Sequence, residues 1–83
     1  MVTVTVRYHA LLREKIGLDR ESYSLTAADA TCAGLLHAFS AKYANFQTLL
    51  PSLHVAVNNE IAAHDQPLSS GDTVDLLPPF GGG

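Results

Sequence analysis

The sequence predicts one small α+β domain in which a mixed sheet of four or five strands packs on one main helix. The chain has 83 residues, which is room for a single domain. Segments near both ends alternate apolar and polar residues, the pattern of a strand with one buried face. One segment, residues 32–43, has an apolar stripe at helical spacing and is predicted to cover one face of the sheet.

The N-terminal part predicts a strand, a short helix and a second strand. Residues 2–8 alternate, with β-branched valines on one side, which favours a half-buried strand. Residues 10–16 suit a short helix, and Gly17 stands where a helix end needs a left-handed residue. Residues 21–26 alternate again, so we expect a second strand antiparallel to the first.

The best helix in the chain is predicted over Cys32–Tyr43. Asp29 or Thr31 can provide its N-cap. Gly34 would weaken a helix by about 1 kcal/mol relative to alanine, which indicates a close packing contact at this position. The apolar stripe comprises Cys32, Leu35, Leu36, Phe39 and Tyr43.

Short elements are predicted after this helix. Residues 45–50 could form one further helical turn, stopped by Pro51. A short strand is expected at 54–57, and Asn58-Asn59 suits a tight turn with positive φ. Residues 61–64 are expected to return as an edge strand.

The last strand is predicted at 73–77, after a turn, and Pro78-Pro79 must end it because proline cannot donate to a sheet ladder. Alternation places Leu77 on the face opposite the core, either exposed as an interface residue or half covered by its neighbours. The element order fits a ubiquitin-like β-grasp roll, with a domain over residues 1–79 and a flexible tail over 80–83.

Composition and charge exclude several classes of function. The net charge is −3 with five Lys plus Arg and no basic run, so no nucleic-acid partner is expected. The first residues lack the pattern of a signal peptide, so none is expected, and no apolar run approaches the length of a membrane span. A single cysteine precludes a disulfide within the chain. We therefore expect a cytoplasmic protein without a membrane partner.

The other reactive side chains do not form a motif. Four scattered histidines and one cysteine lack the spacing of a metal site, so no metal is expected. Cys32 lies on the apolar stripe, which favours a buried structural thiol. Arg13 and Glu14 are interpreted as solvated helix-end charges or as ion-pair contacts to a partner. Lys15 and Lys42 are conceivable modification sites, and nothing selects either of them.

The most specific feature is the C-terminal sequence Pro-Pro-Phe-Gly-Gly-Gly. A terminal glycine run is often merely disordered. Here it follows a proline stop and a large apolar residue, so a thin tail without side chains could enter a narrow channel and deliver its carboxylate to a distant active site. Adenylation by ATP with Mg²⁺ would activate that carboxylate. A sulfur nucleophile could then replace the adenylate, and the product would be a thiocarboxylate.

The chain resembles the sulfur-carrier subunit of molybdopterin synthase, the MoaD-like branch of the MoaD/ThiS ubiquitin-like carriers. The resemblance covers essentially the whole chain. Two departures are His9, where an aromatic residue is expected, and Gly81, where Ser, Thr or Ala is common. The stretches that carry the resemblance are Val6 to Glu14, Ala56 to Asn59, Ser70 to Val74 and Pro78 to Gly83.

The resemblance implies that Gly83 becomes the acyl adenylate and then the thiocarboxylate, while Gly81 and Gly82 line the partner's channel. Leu77, Pro79, Phe80 and Arg13 would meet the partner. The chain would be a sulfur donor with no active site and no cofactor of its own. Expected partners are a large MoaE-like subunit in a heterotetramer, a MoeB-like adenylating enzyme that uses ATP and Mg²⁺, and a sulfur donor such as a cysteine desulfurase or rhodanese.

Two alternatives stay open. One is a ubiquitin-like modifier that is conjugated through Gly83 to lysine side chains. The other is a sulfur carrier for thiamine, tRNA thiolation or cysteine synthesis.

Overall fold

Residues 1–78, which the computed structural model describes, form five strands and two α-helices. Two 3₁₀ helices, Ala27–Asp29 and Ala44–Ser52, flank the longer α-helix. The other elements are β1 (Val2–Tyr8), α1 (Leu11–Ile16), β2 (Arg20–Leu25), α2 (Cys32–Lys42), β3 (His54–Val57), β4 (Glu60–Ala62) and β5 (Thr73–Leu77).

The strands form one mixed sheet in the order β2-β1-β5-β3-β4. β1 pairs antiparallel with β2, as predicted, and parallel with β5. β3 pairs antiparallel with both β4 and β5. The last strand therefore lies in the centre of the sheet. The arrangement confirms the predicted α+β class.

One face of the sheet packs on α2 and forms the core. Alternate residues of each strand point to this face, and α2 contributes the predicted apolar stripe. Phe39 and Leu35 are completely buried. The core residues from the sheet are Val4, Val6, Tyr8, Tyr23, Leu25, Val55, Val57, Val74 and Leu76.

Local signals at the start of α2 are confirmed. Thr31 is the N-cap, and its Oγ1 accepts a hydrogen bond from the backbone N–H of Gly34 at 3.0 Å. A Cβ atom at Gly34 would lie 2.0 Å from the backbone oxygen of Asp29. The close contact predicted from this glycine therefore exists, and it joins α2 to the preceding 3₁₀ helix.

The predicted turns also form. Gly17 has φ 84° and caps α1, donating its N–H to the Arg13 carbonyl at 2.8 Å. Asn58 and Asn59 have φ 51° and 72° in the turn between β3 and β4. A third non-glycine residue with positive φ, Ala10, was not predicted; its φ is 50° at the junction of β1 and α1.

The predicted edge strand at 61–64 is partly wrong, because β4 covers Glu60–Ala62. The following residues turn toward the start of α2 instead. The carbonyl of His64 accepts a hydrogen bond from the N–H of Ala33 at 2.6 Å, and that of Gln66 accepts from the N–H of Cys32 at 3.0 Å. The first N–H groups of a helix lack partners within the helix, so this loop stabilises α2.

Pro51 does not stop the helical turn that precedes it. The 3₁₀ helix runs over Ala44–Ser52 and includes this proline. Proline's fixed φ is compatible with a 3₁₀ conformation. The turn closes beyond it, where the N–H of Leu53 donates to the carbonyl of Leu50 at 3.2 Å.

Candidate functional site

The base of the C-terminal tail lies at the end of β5, beside the end of β1. Tyr8 and Leu76 are neighbours in the parallel register, and β5 ends at Leu77. Pro78 follows as a buried residue. The remaining residues of the predicted site, Pro79, Phe80, Gly81, Gly82 and Gly83, lie outside the described residues.

Leu77 is half-buried. It pairs with His54 across β3, on the sheet face opposite the core. Of the two interpretations of Leu77, the structure therefore supports the one in which neighbouring residues half cover its side chain. Because it immediately precedes Pro78, a protein that binds the tail would meet it early.

Arg13 lies on α1, which follows β1 and therefore starts at the end of the sheet where β5 also ends. Its side chain is 60% exposed, and its Nε lies 3.9 Å from Oδ1 of Asp19. Surface pairs of this kind contribute little to stability. The Arg13 side chain is therefore accessible to a binding partner.

A cluster of paired polar side chains that the sequence did not predict lies near the ends of β1 and β5. Asp75 Oδ1 accepts hydrogen bonds from Arg7 Nε at 2.6 Å and from His9 Nε2 at 2.8 Å. Asp75 Oδ2 accepts from Arg7 Nη2 at 2.9 Å. The Asp75 side chain is only 8% exposed, whereas Arg7 and His9 are 35% and 40% exposed.

The cluster keeps Asp75 ionised. Its hydrogen bonds from Arg7, and then from His9, lower the pKa of the Asp75 carboxyl despite burial. Asp75 is therefore a paired and largely buried carboxylate. His9 was noted only as a departure from an aromatic residue, and its partner is 66 residues away in the chain, which no local pattern reveals.

A second polar cluster centres on Glu21, below the C-terminal end of α2. Glu21 accepts hydrogen bonds from Tyr8, Tyr43 and Lys42, and the hydroxyls of Tyr8 and Tyr23 lie 2.8 Å apart. Burial favours a higher pKa for Glu21, but the three donors outweigh it and the pKa is lowered. Burial raises the pKa of Tyr23 to about 12. These fully partnered groups connect β1, β2 and α2.

A shallow groove of about 620 Å³ lies between the ends of α1 and α2. Both lysines named as conceivable modification sites border it. Lys42 is ion-paired with Glu21, while Lys15 is exposed. The groove is lined by Lys15, Ile16, Lys42, Tyr43, Ala44, Asn45 and Phe46.

The remaining candidate residues do not form a site. Cys32 is completely buried, as predicted, and burial raises the pKa of its thiol. Within residues 1–78, no group of three or more His, Cys, Asp and Glu side chains is arranged to hold a metal ion. No helix in the same range is long and apolar enough to cross a membrane.

Solved structures similar to this chain share its fold. A provisionally assigned molybdopterin converting factor, subunit 1, from Pyrococcus furiosus is 26% identical with a TM-score of 0.83, over 96% of this chain and 100% of that one. Small archaeal modifier protein 1 from Haloferax volcanii is 23% identical with a TM-score of 0.83, again over 96% and 100%.

A third similar structure is a complex. A chain from the complex of subunits 1 and 2 of molybdopterin-converting factor from Helicobacter pylori is 23% identical with a TM-score of 0.67, over 99% of this chain and 100% of that one. A search of curated proteins gave no match.

The ThiS family model matches residues 6–83, from the middle of β1 to the last glycine. The five-stranded sheet on one main helix is the ubiquitin-like β-grasp fold of the structures above. The chain therefore belongs to the ThiS family and is a ubiquitin-like sulfur carrier of the ThiS/MoaD type.

Proposed function

We propose that this chain is the sulfur-carrier small subunit of a molybdopterin synthase. The carboxylate of Gly83 attacks ATP on a MoeB-like enzyme, pyrophosphate leaves, and an acyl adenylate forms. The outer sulfur of a persulfide on a cysteine desulfurase or rhodanese then displaces AMP and forms an acyl disulfide, and a thiol reduces the S–S bond to release the thiocarboxylate. The resulting thiocarboxylate donates its sulfur to the dithiolene of molybdopterin.

The observation that carries this proposal is the position of β5. This strand lies between β1 and β3 in the centre of the sheet and leads through Pro78 to the Phe-Gly-Gly-Gly sequence. The folded domain thus precedes a sequence that ends, after Phe80, in three glycines without side chains, which suits delivery of a terminal carboxylate into another protein.

The similar structures support the molybdopterin pathway and the expected partner. The Pyrococcus furiosus structure is that of a provisionally assigned molybdopterin converting factor subunit. The Helicobacter pylori structure pairs subunit 1 with subunit 2. By analogy, Leu77, Pro79 and Phe80 would contact a large MoaE-like subunit, and two carriers would join a dimer of large subunits.

A second function has a specific observation in its favour. The Haloferax volcanii modifier protein aligns with the same TM-score as the Pyrococcus furiosus protein. Conjugation of Gly83 to lysine side chains would begin with the same adenylation. A carrier role in another sulfur pathway, such as that of thiamine, would also share this first step.

The test is to incubate the full chain with ATP, Mg²⁺, the MoeB-like enzyme and a sulfur donor, and then to measure the intact mass. We expect a gain equal to the replacement of one oxygen by sulfur, located at Gly83 by fragmentation. Deletion of Gly83 should abolish the gain without altering the circular dichroism spectrum.

Gly81→Ala is the matched control, because related carriers often have a small side chain at that position; it should still be loaded. Loading of the Gly83 deletion would refute the proposal, as would an unchanged mass of the intact chain under conditions that load a known carrier. Adding the large subunit and its precursor should then give molybdopterin, whereas lysine adducts in cell extract would favour the modifier.

A further inference from the structure

The sheet face opposite the core is not covered by a helix in residues 1–78, and we refer to it as the open face. Its central row crosses four strands: Arg7 on β1 lies beside Asp75 on β5, which lies beside Ala56 on β3 and then Ile61 on β4. Ile61 is 71% exposed. The row thus joins a charged cluster to an apolar side chain.

The open face has a charge pattern unlike that of the whole chain. By strand alternation, the arginines Arg7 and Arg20 lie on this face, while Asp75 is its one carboxylate among the described strand residues. Asp75 is already paired with Arg7. The chain as a whole carries a net charge of −3, so this face is a local exception that suits an acidic surface.

Asp75 holds the Arg7 guanidinium in place, but not all of its nitrogen atoms donate hydrogen bonds within residues 1–78. Its Nε and Nη2 donate to Asp75, and Nη2 also lies 3.4 Å from Oδ1 of Asn59. Its Nη1 has no hydrogen-bond partner among residues 1–78. An arginine whose plane is fixed by one carboxylate can offer its remaining donors to a second acceptor at little further cost in side-chain entropy.

His9 and Asp75 complete the arrangement. Both His9 Nε2 and Arg7 Nε donate to Oδ1 of Asp75, so the histidine gives this oxygen a second donor and helps to fix the carboxylate. Asp75 stands three residues before Pro78, the last described residue of the chain. Any protein that takes up the tail must therefore approach the C-terminal end of β5, close to this cluster.

We infer that Arg7, positioned by Asp75 and His9, binds a carboxylate side chain of the adenylating enzyme that receives the tail. This inference rests on the proposed function, but it does not depend on the pathway, because a sulfur carrier and a modifier both require adenylation first. Ile61 and Leu77 would supply apolar contact on either side of the charged centre.

The test compares variants in their affinity for the MoeB-like enzyme without ATP, and in the KM and kcat of adenylation with ATP. The main variant is Arg7→Leu with Asp75→Ala. It removes both charges together, so the net charge is unchanged and no unpaired buried carboxylate is left. Arg20→Gln is the control, since it removes a basic side chain from the same face on β2, one strand further from the tail.

We expect the double variant to bind about tenfold more weakly and to raise KM by a similar factor, with kcat unchanged. Its affinity should also depend less steeply on salt concentration than that of the wild type. Arg20→Gln should change either value less than about threefold. If the double variant does not fold, the exchanged pair Arg7→Asp with Asp75→Arg, which keeps the ion pair but moves the guanidinium, should show the same loss.

If the folded double variant has the same affinity and KM as the wild type, the inference is overturned and the proposed function stays intact. An equal loss in Arg20→Gln would also overturn it, since general attraction to a basic face would then be sufficient. If the wild type binds but is never adenylated, the proposed function fails, and the affinities still decide the role of Arg7. If the wild type neither binds nor is adenylated, both fail.

Discussion

Asp75 is a carboxylate kept almost out of water on a sheet face that no described helix covers. Its three donors come from Arg7 and His9, on and just after the neighbouring strand. Breaking a paired, buried charge by removing one partner is costly, whereas removing both partners is often tolerated. The stability of this region should therefore depend on whether Asp75 is ionised.

We predict that Asp75→Asn reduces the acid sensitivity of the fold. The folded-state pKa of Asp75 lies below its ordinary value. In an unfolded chain the pKa of an aspartate side chain is about 3.9. The unfolded chain thus binds the proton first, so the stability that Asp75 contributes above about pH 4 is lost as the pH falls through the folded-state pKa.

Urea unfolding at about pH 7, 4 and 3 would measure this effect. The variant should be less stable than the wild type at pH 7, and the difference should shrink at pH 3. The control is Asp65→Asn, because Asp65 is exposed and has no ion pair within residues 1–78. A constant difference across the three pH values would contradict the prediction.

At the scale of single residues, the sequence predicts which side chains face the core better than it predicts their polar partners. The alternation of Val74 and Leu76 placed both correctly in the core. The same pattern placed Asp75 on the other face, but it could not show burial there. That burial depends on Arg7, 68 residues away, through a strand pairing that local periodicity does not encode.

Helix α2 is fixed at its start by contacts from two different loops. The N-cap Thr31 binds Gly34, while the carbonyls of His64 and Gln66 bind the first helical N–H groups. The backbone of Asp29 lies directly against Gly34. The first turn of the helix is therefore a packing junction as well as a helical turn.

Gly34→Ala should lower the stability of the fold, which is the opposite of the usual effect of this change in a helix. Alanine in an ordinary helix interior gains about 1 kcal/mol over glycine. Here the added Cβ would lie 2.0 Å from a backbone oxygen, and overpacking against backbone typically costs about 1–3 kcal/mol.

Chemical denaturation would give the free energy of unfolding for this variant. The matched control is His37→Ala on an exposed position of the same helix, which should change stability by less than about 0.5 kcal/mol. A gain in stability for Gly34→Ala would show that the 3₁₀ helix can move away from α2 without cost.

Among the elements, the strands β1, β2, β3 and β5 and both α-helices were predicted to within one or two residues, whereas β4 and the 3₁₀ helix through Pro51 were predicted less well. β4 is three residues long, too short for alternation to mark its end. The 3₁₀ helix through Pro51 depends on a hydrogen bond beyond the proline. In the sequence, a proline at this position is as consistent with the end of a helical turn as with a 3₁₀ helix that continues through it. Pro51 therefore could not show which of the two forms.

At the scale of the whole molecule, the buried core is formed within the described residues. Every residue of the buried core cluster lies between Val4 and Leu76. The predicted boundary, with a domain over 1–79 and a tail over 80–83, falls just beyond the described residues. The strand order itself could not be read from local patterns, because β1 and β5 are distant in the chain and adjacent in the sheet.

We predict that deletion of residues 80–83 changes the free energy of unfolding by less than about 0.5 kcal/mol. Three of these residues are glycines, which have no side chain to bury. Leu76→Ala is the control for a loss near the same end of the chain; Leu76 is fully buried, so about 2–5 kcal/mol should be lost. A loss above about 1 kcal/mol on deletion would mean that the tail packs on the domain.

The central position of β5 has a mechanical consequence. Its hydrogen bonds to β1 and β3 run across the strand, so a pull on residue 78 along the strand direction loads them in shear. The bonds on both sides then resist the force together and do not open one after another. An enzyme could thus draw the end of the chain taut in its channel without peeling the carrier apart.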